Sequence, residues 1–173
     1  MARTIDNWTE PQMLTEPTWL LAARADIGLR ELPGAPTAPR IQRMLADLGA
    51  WWRDDETPWC GVAVAAWMKA AGIALPRFWM RARAWADWGQ ALERPAHGCV
   101  VVFARQGGGH VGLCVGEDAA GNLLILGGNQ GDAVNVRAFP RARVLAYRWP
   151  PGRELPRFMQ LAQGSAAATT GEA

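Results

Sequence analysis

The sequence predicts an α+β domain in which a helical N-terminal half packs on a mostly antiparallel sheet of about five strands. Three observations carry this expectation. Before Pro95, apolar residues recur at helical spacing in segments that close on glycine. After Pro95 the pattern changes to short runs rich in Val, Leu and Ile, separated by Gly, Asp and Asn turns. Finally, helices come first and strands later with short connections, the order of segregated layers and of hairpin-linked strands.

Residues 1–17 are polar and proline-bearing and read as a flexible arm ahead of a single domain over 18–150. Residues 18–27 place Trp19, Leu20, Ala23 and Ile27 on one helical face and stop at Gly28. The stretch 32–39 is a loop crowded with proline and glycine. A second helix carries Ile41, Met44, Leu45 and Leu48 and ends at Gly49. The third has Thr57 as N-cap, Pro58 at the first helical position and Gly72 after the last turn. Its interior, from Val62 to Met68, is almost wholly apolar, which predicts burial. A fourth, amphipathic helical piece is expected over 81–88. Strands are expected at 99–103, 111–115, 123–126, 134–137 and 144–149. Residues 151–173 turn proline-rich, then rich in small residues, and read as a largely disordered tail.

Of the 173 residues, 50% are hydrophobic and 20% charged, enough for one core that needs no disulfide staple. A net charge of +2, scattered along the chain, gives no basic stripe for nucleic acid. The three cysteines, Cys60, Cys99 and Cys114, are an odd number without CxxC spacing and make no disulfide framework. No apolar run approaches the roughly 20 residues of a membrane span, and the N-terminus has no apolar signal segment. These features predict a chain made in the cytoplasm, without stable membrane insertion, that reaches any outside target by another export route.

Cys60 falls within the first turn of the third helix, where the dipole and unpaired backbone N–H groups favour a thiolate and an oxyanion. His110 follows three glycines at the start of a strand, where an imidazole can be closely packed and directed. Asn129 closes the run Leu126-Gly127-Gly128-Asn129, at the sheet end where His110 is also expected. Nucleophile, base and orienting amide in that order are the parts of a thiol hydrolase. Gln130 is the alternative orienter and a candidate substrate contact. His97, in a turn before the first of these strands, reads as structural. Trp59, with Trp51 or Trp52, is expected to form a cleft wall that stacks on sugar or peptide, and Asp55 to supply a carboxylate at the rim. A zinc site drawn from His97, Cys99, His110 and Cys114 lacks close ligand pairs, and Asp54-Asp55-Glu56 lacks the spacing of a calcium loop. Neither a metal nor a cofactor is expected.

The ordered set DDETPWCGVAVAAWMKAAG, ARAWADWGQ, GGGHVGLCVGED, LLILGGNQGDAVNV and LAYRWP resembles a phage-associated family of NlpC-type papain-like cell-wall hydrolases. These are similar in plan to cysteine, histidine-dependent amidohydrolase/peptidase domains. The resemblance spans 19–150 and implies a papain-like fold with the nucleophile on the helical half and the base on the sheet. It implies hydrolysis of an amide in or next to the peptidoglycan stem peptide, with Cys60 as nucleophile, His110 as base and Asn129 as orienter. Relatives often have glutamate two positions before that asparagine, where this chain has Gly127. Many have Gly-Asp opening the first strand, where this chain has Gly98-Cys99. Peptidoglycan is thus the expected partner, joined by an immunity or export protein. The setting is a phage lysin released through a pore or an effector injected into the periplasm. The rival expectations are a non-catalytic wall-binding or phage structural module, and a thiol hydrolase or deamidase acting on proteins.

Overall fold

Glycine-punctuated apolar segments become helices where the sequence pattern places them. The computed structural model describes residues 16–34, 36–156 and 159–169, and there α1 spans Thr18–Ala25, α2 Pro39–Asp47 and α3 Cys60–Ala70. Asp26, at the end of α1, ties the three together. Its carboxylate accepts from the Arg40 guanidinium at 2.8 and 3.1 Å and from Trp67 Nε1 at 2.8 Å. The apolar α3 is buried over nearly its whole length, as its composition requires.

The start of α3 differs from expectation. Trp59, not Thr57, is its N-cap, and Cys60 is its first residue. The reason is Asp54, whose Oδ1 accepts from Thr57 N at 2.8 Å and Thr57 Oγ1 at 2.7 Å, spending the hydroxyl in a turn before the helix. The piece near 81–88 is a 3-10 helix, Ala82–Asp87, rather than an amphipathic α-helix. It is pinned by two indoles, Trp85 Nε1 on Trp79 O at 2.9 Å and Trp88 Nε1 on Ala74 O at 2.8 Å.

Among the described residues the sheet is antiparallel throughout and has six strands rather than about five. These are β1 Gln90–Leu92, β2 Val100–Arg105, β3 Gly108–Glu117, β4 Leu123–Gly127, β5 Asn135–Phe139 and β6 Val144–Trp149, in the order β1-β6-β2-β3-β4-β5. The unexpected strand is β1, whose 3 residues are too few to show alternation and which pairs only with β6. The chain is therefore a mixed α+β fold, with α3 and the 3-10 helix packed on the central strand β3.

Near both ends the described residues are tied down further than the sequence suggests. Glu16, the first described residue of the expected arm, accepts from Arg24 at 2.6 Å on each oxygen and lies 2.9 Å from His97 Nε2. Residues 1–15 of that arm lie outside the described residues. The described part of the expected disordered tail is a strap. Glu117 N donates to Ala162 O at 2.9 Å, Gly164 N returns to Glu117 O at 2.9 Å, and Ala138 N donates to Ala167 O at 3.0 Å. It runs from β3 to the β5 edge across Leu124 and buries Leu161. Small residues in the tail let its backbone lie close to the sheet, and composition alone does not separate that from disorder.

Candidate active site

Three elements converge on Cys60. The first turn of α3 carries the thiol, which is buried to 5% exposure. The backbone N–H groups of Val111, on β3, and Gly61 face the sulfur, and Arg105 at the end of β2 acts on it electrostatically. Gly61 is needed here, since a Cβ would lie 2.7 Å from the carbonyl oxygens of Trp79 and Met80. That close approach brings the segment before the 3-10 helix over the start of α3.

His110, one residue before Val111, is fully buried. Its ring stacks on Phe139 at 5.2 Å with planes 5° apart, and lies beside its register partner Phe103 at 6.4 Å. Its Nε2 lies 2.9 Å from Gln130 Oε1. The Gln130 amide is oriented by three acceptors around Nε2: Ile125 O at 3.2 Å, Asn135 O at 2.9 Å and Asn135 Oδ1 at 3.0 Å. The amide nitrogen is thus committed, so Oε1 accepts and His110 Nε2 carries the hydrogen. In the neutral ring the basic atom is then Nδ1.

Gly127 explains how Gln130 reaches the imidazole. A Cβ on Gly127 would sit 2.5 Å from Gln130 Oε1 and 3.3 Å from His110 Nε2. The space that a glutamate would occupy at this position holds the Gln130 amide. Asn129 is buried in the β4–β5 connection with φ of 57°, a left-handed turn conformation that asparagine tolerates. Gln130, the alternative orienter beside Asn129, makes the 2.9 Å contact to His110 Nε2 and faces inward as a polar anchor, not outward as a substrate contact.

Two other expectations change. Trp59 is fully buried, with Nε1 donating to Glu31 Oε2 at 3.0 Å, so its ring is core and offers no face to a ligand. Asp55 is also buried, its Oδ2 accepting from Leu32 N at 3.2 Å and Ala38 N at 3.0 Å. It closes the loop before α2 and supplies no rim carboxylate. Trp52 does border open space. Its ring stacks on Trp79 at 5.9 Å and meets the 87% exposed Trp51 edge-on at 5.6 Å.

Two adjoining hollows open at this end. One of about 310 Å³ is lined by Cys60, by Arg81 and Arg83, and by the β2–β3 turn at 107–109. The other, about 460 Å³, is lined by Trp51, Trp52, Phe78 and Thr57, and shares Pro58, Met80 and Arg81 with the first.

Burial pushes the Cys60 thiol above the ordinary range, against the lowering expected from the helix terminus. The Val111 and Gly61 N–H groups and Arg105 offset this only in part. Cys99 and Cys114 face each other on neighbouring backbone, with Cys114 N donating to Cys99 O at 2.9 Å, and both are buried away from the hollows. Among the described residues, no three His, Cys, Asp or Glu side chains gather as metal ligands, and no helix is long and apolar enough to cross a membrane.

What the site defines is a class: a buried thiol at a helix start, with an oriented imidazole on the adjoining strand, bordering a solvent-open groove. No protein-family model matches the sequence, and no curated protein matches it.

Proposed function

We propose that the protein is a thiol hydrolase of papain-like, NlpC-type plan that cleaves an amide bond in or next to the peptidoglycan stem peptide. One observation carries the reading. The Cys60 sulfur lies under the Val111 N–H, and the residue before it is an imidazole whose Nε2 hydrogen is held by Gln130. A structural cysteine and a core histidine have no need of that arrangement.

Because burial favours the neutral thiol, His110 acts as general base during attack rather than as half of a resting ion pair. Nδ1 takes the Cys60 proton as sulfur bonds to the carbonyl carbon. The oxyanion is stabilised by N–H groups of the first turn of α3. The C–N bond then breaks, and the amine leaves with the proton from Nδ1. Water attacks the thioester, giving its proton to His110, and the S–C bond breaks to release the acid and restore the thiol.

The peptidoglycan assignment draws on the sequence resemblance and on the exposed Trp51 beside the half-buried Trp52 in the second hollow, which offers a stacking face for a sugar or peptide. Mass spectrometry of muropeptides from digested sacculi tests it. New amine and carboxyl ends are expected with wild type and none with a folded Cys60→Ala variant. Equal digestion by Cys60→Ala refutes the mechanism, and products from protein substrates alone refute the substrate.

A further inference from the structure

We infer that the hollow at Cys60 selects amides flanked by a free carboxylate, and that Arg81 and Arg83 are the specificity-determining residues that bind it. The inference rests on Cys60 being the nucleophile and adds the chemistry of the group beside the scissile bond.

The hollow lies between the segment carrying Arg81 and Arg83 and the turn at 107–109, and among the described residues no acidic side chain lines it. Arg83 is held at its mouth, because Nε donates to Gly108 O at 2.8 Å and so bridges the two segments. Arg81 is held from the other side. Its guanidinium carbon lies 5.2 Å from the Phe78 ring centroid, and Arg77 occupies the same ring at 5.1 Å. Three guanidinium groups thus come from seven residues of chain, all solvent-exposed, and Asp87 shares a separate hollow with Arg77 and Phe78, which leaves Arg81 and Arg83 facing the Cys60 hollow. The nearest acid in the adjoining hollow is Asp54, and its Oδ1 is already committed to Thr57.

A guanidinium presents paired N–H donors that match the two oxygens of a carboxylate, and two such groups on one wall make a fork. Solvent-facing arginines ordinarily need no function. Here the decisive points are the hydrogen bond that fixes Arg83 over the opening and the absence of any lining carboxylate. A substrate whose side-chain or terminal carboxylate lies one bond set from the scissile carbonyl would place that charge against Arg81 and Arg83 while the carbonyl meets Cys60. An amidated counterpart would lose the contact.

Alkylation tests this without requiring hydrolysis. Second-order rates at Cys60 are measured with anionic iodoacetate and neutral iodoacetamide, resolved by peptide mass spectrometry at one fixed alkaline pH. In wild type the iodoacetate to iodoacetamide ratio should fall roughly ten-fold in the Arg81→Gln/Arg83→Gln double variant and on raising salt to about 0.5 M. The iodoacetamide rate should stay within about two-fold, and Arg81→Lys/Arg83→Lys should restore much of the ratio, since it keeps the charge. An unchanged ratio in a double variant with native circular dichroism overturns the inference. Paired stem peptides, acid and amide at the position beside the cleaved bond, then read the effect on KM. If neither peptide is cleaved the hydrolase reading fails, while the alkylation ratio still decides the arginines.

Discussion

Gln130 Oε1 accepts from His110 Nε2 at 2.9 Å, and the rest of its amide is held by Ile125 and Asn135. This contact fixes which imidazole nitrogen is basic, so under the proposed mechanism replacing it acts on catalysis before stability. Gln130→Leu should cut kcat on the order of 100-fold with KM little changed. The measurement is steady-state kinetics on muropeptides, and a KM effect alone would point to substrate binding instead.

Gly127→Ala tests the same relationship from the other side. The new Cβ falls 2.5 Å from Gln130 Oε1, so the amide must move away from His110. Activity should fall together with about 1–3 kcal/mol of stability from overpacking, read by urea denaturation. Gly127→Glu combined with Gln130→Ala should recover part of the lost kcat, because the carboxylate then occupies the vacated volume.

The thiol titration has a definite sign. Burial is the largest influence on Cys60 and raises its pKa. The native thiol therefore stays protonated through the ordinary thiol range, and alkylation by iodoacetamide should keep accelerating as pH climbs beyond that range. The folded-state preference for the proton stabilises the protein fully below the ordinary thiol range, and that contribution is lost as pH rises through the raised folded value. A rate plateau reached in mildly acidic solution would instead mark a resting thiolate–imidazolium pair. Cys99 and Cys114, both fully buried, should label only after unfolding.

Asp55→Ala separates a structural carboxylate from a catalytic one. It leaves the backbone N–H groups of Leu32 and Ala38 without their acceptor, and should cost about 2 kcal/mol. At temperatures where the variant remains folded, kcat should match wild type.

The C-terminal strap is expected to contribute measurable stability. Truncation after residue 158 uncovers Leu124 and removes Leu161, and should lower stability by roughly 2 kcal/mol. Denaturant midpoints of the truncated and full chains check this, and identical midpoints would show that the strap is loosely held in solution.

Much of this architecture is legible in the one-dimensional pattern. The α3 interior from Val62 to Met68 announces a buried helix, and five of the six strands appear where β-branched runs alternate with turns. The β1 strand escapes because Gln90–Leu92 has no period to read and pairs only because β6 lies beside it. Thr57 has the composition of an N-cap, yet Asp54 competes for its hydroxyl, and that local contest is decided by turn geometry.

Within the candidate site, the sequence by itself determined which residue types are available and on which elements they sit: a cysteine at a helix start, a histidine on a strand and amides at a strand end. Tertiary structure decided what each side chain faces. Asn129 and Gln130 are adjacent, but only packing shows that the missing side chain at Gly127 opens a path for Gln130 to His110. Asp55 and Trp59 shortly precede Cys60 in the chain and still turn into the core, because Glu31, Leu32 and Ala38 arrive there from a distant loop with partners for them. Periodicity records which face of an element is buried. The direction of a side chain in a turn, and the partner that satisfies it, depend on which other segments come to fill the same space.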